Sequence, residues 1–356
     1  MKPIIIFLAA ITIFASSCER EKSSLPRVFV FTDINIDAGD PDDRQSLIHL
    51  LWYADELIIE GIVPDRWYAG GFDACMMALE AYSKDFQKYD FDQKGFPHPK
   101  SISNKVATDR DHAAQLFRDA ASNPNTPLYV LIWGNMALFG DILRQFPDLA
   151  QNIRLISIGT HLIREEHIPY MPDDWEKTDQ PCTQYNWNGF GRNEIFQDKR
   201  FNEMWWLEIN WTYEGMFSGE EPTQMLDELI VFGSLGQHMK EVVESQPWAW
   251  YFRVGDTPSV LYLIDPENNL DDPTHGSWAG RFIYPFPMER PNYYTDYNGP
   301  VEWDYHDPCN TWENHVDMAR HAAGTLEKVR PQMYEDLLRK LNFIYGKKSG
   351  KNQENI

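Results

Sequence analysis

The most informative segment of the chain is Arg27-Val28-Phe29-Val30-Phe31-Thr32-Asp33, which is followed after a short loop by Asp42-Asp43. An apolar run of β-branched and aromatic residues that ends on an acid is typical of a buried strand that delivers a carboxylate to the edge of a sheet. Apolar residues then recur at helical spacing (Leu47, Leu50, Leu51 and Ala54). The Asp pair is therefore expected where a helix begins.

The loop between this strand and this helix is rich in carboxylates. It holds five acids: Asp33, Asp37, Asp40, Asp42 and Asp43. An N-cap and first-turn acids that favour the helix dipole would explain only one or two of them. Carboxylates that converge on one point repel each other unless a cation neutralises them, and hard oxygen ligands favour Ca²⁺ or Mg²⁺. The pattern predicts a metal site.

A different type of calcium loop is a less favoured alternative. Asp33-x-Asn35-x-Asp37 has the opening spacing of an EF-hand or dockerin-type loop. The rest of the loop departs from that pattern, because Ala38 stands where the turn needs Gly and Arg44 stands where a bidentate Glu is needed. A strand, and not a helix, is also expected before it.

Strand-like and helical runs alternate along the first half of the chain. The strand-like runs are 28–32, 57–63, 128–133 and 153–159, and the helical runs are 42–54, 72–86, 110–121 and 137–146. This alternation predicts an α/β fold with a mainly parallel open sheet flanked by helices. Ligands bind such sheets at the carboxyl ends of strands, where we expect Asp33 and the turn from Trp133 to Ala137. Beyond Met171 the pattern is aromatic and loop-rich, and a helical tail is expected over 312–345.

Composition and charge indicate one large globular domain that does not bind nucleic acid. The chain has 356 residues, of which 43% are hydrophobic and 14% aromatic, so it can bury the core of one large domain, expected over 27–345. The formal net charge of −22 argues against binding nucleic acid through its phosphates. Residues 346–356 are polar and are predicted to be disordered. The sequence leaves the oligomeric state open.

The first residues have the features of an export signal. Lys2 precedes an apolar run over 4–15 that is too short to span a bilayer, and Ala15-Ser16-Ser17 supplies small residues before Cys18. These features resemble a bacterial lipoprotein signal over 1–17. The resemblance implies lipidation of Cys18, a tether over 18–26 and a place in the cell envelope, periplasmic or on the surface, with membrane contact through the lipid only. An ordinary secretory signal is the alternative, because Phe14 stands where Leu is usual.

Three further cysteines follow Cys18, namely Cys75, Cys182 and Cys309. An odd number allows at most one internal disulfide among them, and no paired CxxC spacing indicates a zinc site.

Several motifs together resemble a known family. Thr32-Asp33, Asp42-Asp43 and the following Arg44-Gln45-Ser46-Leu47 resemble the N-terminal signature of nucleoside hydrolases, DxDxGxDD. They are more similar to a bacterial branch with a nucleoside hydrolase-like domain, often labelled cellulose-binding, whose members read TD…(D/E)PDD.QS. The stretches 255–263 and 276–281 also resemble that branch. The resemblance runs from about Arg27 to Arg281.

The resemblance implies a set of metal ligands and a catalytic base. Asp42 takes the position of the general base that activates a calcium-bound water. The Ca²⁺ ion would be held by Asp33, Asp43, Asp256 and the backbone carbonyl of Ala137. Because the connecting loop is longer in this chain, Asp37 or Asp40 could replace Asp33 on the metal.

Two places compete for the last ligand, which in the family is the Asp of a His-Asp-Pro motif that opens an apolar helix. His306-Asp307-Pro308 matches the letters, but a polar run follows it. Asp256 leads into the apolar run 259–263 and is preferred. This choice places Gly255 where the family has its leaving-group histidine, and glycine cannot donate a proton. Either the acid comes from elsewhere, with His275 as a candidate, or the leaving group needs no protonation. The alternative for His275, a loop histidine beside Gly276 without a catalytic role, is the preferred interpretation of that residue.

The resemblance also implies contacts with the sugar. Gln184-Tyr185-Asn186 resembles the family's Glu-Phe-Asn, whose polar side chains bind ribose hydroxyls. Gln184 and Asn186 are thus candidate substrate-binding residues, and the loss of the Glu charge leaves the preference for ribose open. The alternative is that Asn186 only forms a turn before Gly189.

Together these features predict a metal-dependent hydrolase of N- or O-glycosidic bonds that acts on a small glycoside or a nucleoside. The alternative is a non-catalytic, calcium-stabilised carbohydrate-binding lipoprotein whose partner is a glycan. Gly255 and Gln184 favour this alternative. Asp42 beside Asp43 favours catalysis, because binding alone does not need a base.

Overall fold

In the computed structural model, the described residues are 25–36, 41–160, 191–303, 305 and 312–346, with the side chains of the helix that begins at Trp312 described from residue 316 onwards. The predicted leader, lipidated Cys18, most of the tether and nearly all of the predicted disordered tail lie outside these ranges. Among the residues described, no helix has the length and apolar character needed to span a bilayer.

The strands of the described part form one seven-stranded sheet in the order β2-β1-β3-β4-β5-β7-β6. They are β1 Arg27–Thr32, β2 Ile58–Pro64, β3 Leu128–Ile132, β4 Ile153–Ile158, β5 Trp205–Ile209, β6 Phe282–Ile283 and β7 Tyr293–Asp296. Neighbouring strands are parallel, except that the short edge strand β6 runs antiparallel to β7. This arrangement confirms the prediction of a mainly parallel open sheet.

Helices cover both faces of the sheet. They are α1 Asp42–Trp52, α2 Gly71–Lys88, α3 Pro99–Ser103, α4 Arg110–Ala121, α5 Ala137–Gln145, α6 Arg192–Phe196, α7 Glu221–Leu229, α8 Gly233–Glu244, α9 Pro258–Ile264, α10 Trp312–Glu327 and α11 Arg330–Ile344. The first strands each lead through a helix to the next parallel strand, as βαβ units require.

The central strand β1 is buried on both faces, which explains its continuous apolar run. Val28 and Val30 point into the core that holds the apolar residues of α1, α2, α8, α9 and α11. Phe29 and Phe31 point into the second core, with residues of α4 and α5. Side chains of a strand alternate between faces, so one hydrophobic segment builds both cores.

The predicted elements of the first half agree with the structure, with each strand end within one residue. The helical tail is also confirmed, although it consists of two helices, α10 and α11. The description of the region beyond Met171 as loop-rich was wrong for residues 205–264, where β5, α7, α8 and α9 lie.

Candidate metal centre and active site

Three carboxylates meet at the carboxyl edge of the sheet. Asp42, Asp43 and Asp256 each place one carboxylate oxygen within 4.8 Å of those of the other two. Asp43 is 8% exposed and Asp256 is 2% exposed, whereas Asp42 is only partly buried. The structure therefore brings together three of the acids that the sequence singled out, and it leaves Asp42 as the most accessible of them.

Helix α1 and strand β1 position the adjacent acids. Asp42 and Asp43 are the first two residues of α1, and the backbone N–H of Asp43 donates to Oδ1 of Asp42 at 3.0 Å. The hydroxyl of Thr32, the last residue of β1, donates to Oδ1 of Asp43. The same hydroxyl accepts from the N–H of Ile34 at 3.1 Å. These bonds tie the start of the helix to the end of the strand.

Asp256 is held from the opposite side of the site. It lies two residues before α9, and its backbone carbonyl accepts from the hydroxyl of Ser259 at 2.6 Å. That hydroxyl accepts in turn from Nε1 of Trp133, at the end of β3, at 2.8 Å. All of these groups are buried. The end of β3 thus fixes the position from which Asp256 reaches the other acids.

A buried amide links the two halves of the site. Gln45 is 0% exposed and stands one helical turn after Asp42 on α1. Its Oε1 accepts from the backbone N–H of Arg253 at 3.0 Å, and its Nε2 donates to the carbonyl of Tyr251 at 3.4 Å. The chain that leads into Asp256 is therefore docked directly on the helix that carries Asp42 and Asp43. The sequence motifs did not predict that Gln45 joins these two segments, although an amide on the apolar face of a helix indicates a buried hydrogen-bonding residue.

The electrostatics of the cluster favour a bound cation. Burial raises the pKa of Asp43 well above its usual value, and the negative charges of Asp256, Asp33 and Asp42 raise it further. The hydrogen bond from Thr32 acts in the opposite direction. A cation placed among these oxygens would remove the repulsion, as expected for a group of hard oxygen ligands.

Asp33 lies at the same edge of the sheet but has a different partner. Asp33 follows β1 directly and packs closely on the turn after β3. A Cβ added at Gly134 in that turn would lie 2.9 Å from the Cβ of Asp33. Its carboxylate forms an ion pair with Arg66 and is not part of the group of three. The charge of Asp33 also acts on Asp65, whose pKa is raised to about 7, mainly by burial. The role of Asp33 as a calcium ligand stays a prediction.

The remaining candidate residues divide into two groups. Ala137 opens α5 at the predicted turn, and its N–H donates to Oδ1 of Asn135 at 3.0 Å. The side chain of His275 is 69% exposed and lies 3.7 Å from Asp272, in a segment whose Asp271 pairs with Arg154 near the start of β4. The structure does not bring His275 to the acids. Candidates that lie outside the described residues are Asp37, Asp40, Gln184, Asn186 and the pair His306-Asp307.

Gly255 stands where the site is too crowded for a side chain. A Cβ at this position would lie 2.7 Å from Oδ2 of Asp42 and 3.0 Å from Cζ of Phe217. A distance under 3.0 Å requires one of the groups to move. The residue that the resemblance aligns with a leaving-group histidine is therefore glycine for a local physical reason: Asp42 and Phe217 occupy the space.

Comparison with known families identifies the family of the chain. Residues 27–282 match the family described as cellulose-binding Sde182, nucleoside hydrolase-like domain. The chain belongs to this family. The resemblance inferred from the motifs is thereby confirmed, and the nucleoside hydrolase-like domain spans β1 to the first residue of β6.

Comparison with solved structures shows the fold of one nucleoside hydrolase-related protein. A nucleoside hydrolase-related protein from Saccharophagus degradans, described as associated with carbohydrate metabolism, is 17% identical, with a TM-score of 0.58 over 90% of this chain and 72% of that chain. An inosine-uridine preferring nucleoside hydrolase from Bacillus anthracis is 16% identical, with a TM-score of 0.43 over 84% of this chain and 99% of that chain. No curated protein matches the chain.

Proposed function

We propose that the nucleoside hydrolase-like domain is a metal-dependent hydrolase of glycosidic bonds in which Asp42 is the general base. The observation that carries this proposal is the group of three carboxylates within 4.8 Å at the carboxyl edge of the sheet. Open α/β sheets bind their ligands at this edge. The family match and the fold support the reaction class.

The residues present fit a Ca²⁺ ion. Asp43 and Asp256 would hold it, because both are buried and a cation between them would relieve their mutual repulsion. Asp33 and the carbonyl of Ala137 are the further ligands that the resemblance implies. When bound, such an ion supplies positive charge and Lewis-acid polarisation of the oxygens that it contacts.

Asp42 is suited to the role of base because it adjoins the buried acids and is itself partly exposed. Its carboxylate takes a proton from a water molecule as the water oxygen bonds to the anomeric carbon of the sugar. The bond from that carbon to the leaving group breaks, and its electron pair leaves with the leaving group. Gly255 offers no proton at this point, so leaving groups that depart as stable anions are expected to react fastest.

A second function is supported by the same glycine. The absence of a donor at residue 255, together with the cellulose-binding description of the family, favours a calcium-stabilised protein that binds a carbohydrate without cleaving it. The two proposals differ in one respect that can be measured, namely whether any glycosidic bond is broken.

Paired variants of the adjacent acids test the proposal. Asp42→Asn keeps the volume of the side chain and should retain Ca²⁺ affinity in calorimetry, yet abolish release of nitrophenol from p-nitrophenyl ribofuranoside. Asp43→Ala should lose both properties. Equal loss of Ca²⁺ binding in the two variants would contradict the division of roles. A wild-type protein that cleaves neither this compound nor inosine, but binds sugar with Ca²⁺, would favour the binding function.

We also infer that the mature protein is exported and anchored by a lipid on Cys18, as the leader and the small residues before this cysteine suggest. A bacterial host fed labelled palmitate should incorporate the label into the wild-type protein and not into Cys18→Ser. Label that persists in this variant would contradict the assignment of the modified residue, and an unlabelled wild type would favour an ordinary secretory signal.

A further inference from the structure

A row of aromatic side chains leads from the acids to the surface. Phe217 contacts the space beside Gly255 and Asp42, and its ring centroid is 5.9 Å from that of Tyr213 and 6.2 Å from that of Tyr251. Trp248 is joined to these rings through the guanidinium of Arg253 and is 58% exposed. We call these four residues and Arg253 the aromatic strip. The strip begins at the proposed base and ends in solvent.

Arg253 connects the rings of the strip. Its guanidinium carbon lies 4.4 Å from the ring centroid of Phe217, 5.4 Å from that of Trp248 and 5.6 Å from that of Tyr251. The guanidinium also donates a hydrogen bond to the hydroxyl of Tyr251. A planar cation that contacts three rings fixes their relative positions at little entropic cost. The rings of the strip are therefore held in defined positions by Arg253.

The turn that carries Tyr213 is held at both ends. Before it, the buried carboxylate of Asp296 accepts from the backbone N–H of Trp211 at 2.6 Å and from the hydroxyl of Thr212 at 2.9 Å. After it, Arg330 donates to the carbonyl of Gly215 at 2.5 Å and to the hydroxyl of Ser218 at 3.1 Å.

The other side of the strip is attached to the helix of the acids. Gln45 on α1 accepts from the N–H of Arg253, as described above. Both sides are thus fixed relative to Asp42 before any ligand binds. Such preorganisation lowers the entropy that a ligand loses on binding.

We propose that the aromatic strip is a binding subsite for a glycan on the leaving-group side of Asp42, so that the ligand is an oligosaccharide or a glycoside with a sugar aglycone. Sugar rings present apolar faces that stack on aromatic rings, and their hydroxyls bond to groups such as Tyr251 and Arg253. A nucleoside base would cover one ring near Phe217, whereas the strip continues to Trp248. The net charge of −22 disfavours an anionic ligand. The orientation towards the leaving group rests on the proposed function.

Calorimetric titration with cellotetraose tests the subsite on the mature chain in the presence of Ca²⁺. Trp248→Ala should bind about tenfold more weakly than the wild type, because one exposed stacking ring is lost. Trp248→Tyr should bind within about threefold of the wild type, because it keeps a ring. The matched control is Phe343→Ala, since Phe343 is an aromatic residue of α11 that is 70% exposed. The control should bind as the wild type does.

The outcomes separate the subsite from the proposed function. A wild type that does not bind cellotetraose, or a Trp248→Ala variant that binds it as tightly as the wild type, overturns the subsite. If p-nitrophenyl ribofuranoside is still cleaved in an Asp42-dependent manner, the proposed function survives that result. If the wild type does not cleave this compound but Trp248→Ala weakens binding of cellotetraose, the proposed function fails and the glycan subsite stands.

Discussion

Gly255 lies so close to Asp42 that even the smallest side chain at residue 255 is expected to disturb the proposed base. Gly255→Ala adds a single methyl group, which would lie 2.7 Å from Oδ2 of Asp42 and 3.0 Å from Cζ of Phe217. Both distances are shorter than ordinary van der Waals contacts of 3.4–4 Å, so the methyl group must displace the carboxylate, the ring or the backbone by several tenths of an ångström or more. The variant therefore perturbs the proposed base without changing any acid.

The size of the effect follows from two general magnitudes. Overpacking of a filled site typically costs about 1–3 kcal/mol in unfolding free energy. A catalytic group displaced by about 1 Å can lose about a hundredfold in rate. We expect Gly255→Ala to lose about 1–2 kcal/mol of stability and about tenfold to a hundredfold in turnover of p-nitrophenyl ribofuranoside. A larger side chain, histidine included, should be worse, so histidine at 255 should not restore a leaving-group acid.

Urea unfolding and nitrophenol release measure the two effects. The control is Gly324→Ala, because Gly324 lies in α10 and a Cβ there meets nothing within 4 Å. Replacing a helical glycine with alanine in open space should leave activity unchanged and raise stability by about 0.5–1 kcal/mol. If Gly255→Ala keeps wild-type stability and turnover while the control behaves as expected, the crowding argument is refuted.

Two further predictions concern the buried charges of strands β5 and β7. Burial raises the pKa of Asp296 to about 7 from 3.8, so Asp296 contributes stability that is fully present below about pH 4 and is lost as the pH rises through about 7. With Ca²⁺ present, the unfolding free energy measured in urea should therefore fall less for Asp296→Asn than for the wild type between about pH 5 and about pH 8. An equal or larger fall in the variant would contradict this. Arg192 pairs with Glu208 at 2.7 Å, with side-chain exposures of 7% and 0%, so Arg192→Met should lower the unfolding free energy by about 3–5 kcal/mol, and Arg192→Met/Glu208→Gln should recover part of it. A loss under about 1 kcal/mol in the single variant would show that the carboxylate is adequately solvated without the cation.

Local sequence signals were sufficient for the first half of the fold. Strands β1 to β4 are apolar runs bounded by turns, and the helices between them have helical spacing of apolar residues, so their ends were predicted closely. The acids at the start of α1 and before α9 were also found, because each stands next to such a run.

The second half depends on distant partners that a local pattern does not contain. Strand β5 contains Glu208, a fully buried charge that is tolerated because Arg192, Thr160 and Tyr293 bond to it. Helix α8 begins with glycine and has no local cap. Its first N–H groups instead bond to Asp85 of α2, 149 residues away from Ser234. Neither strand nor helix could be recognised without these contacts.

The candidate site could also be predicted from the sequence only in part. The adjacency of Asp42 and Asp43 and the choice of Asp256 followed from motifs. The ion pair of Asp33 with Arg66 and the crowding of Gly255 by Phe217 arise from segments far apart in the chain. Motif spacing indicates which acids meet, but tertiary packing decides which of them face one another and what surrounds them.

If Asp43 and Asp256 hold a calcium ion beside Asp42, thermal unfolding of the mature protein must depend on Ca²⁺. A ligand that binds only the folded state stabilises it by about 2.7 kcal/mol when its free concentration is about 100 times its Kd. We expect the purified protein to contain a single Ca²⁺ at this site. EGTA should lower the melting temperature, and added Ca²⁺ should restore it in the wild type but not in Asp256→Ala. A protein without calcium whose melting temperature is the same with EGTA and with Ca²⁺ would contradict the calcium site.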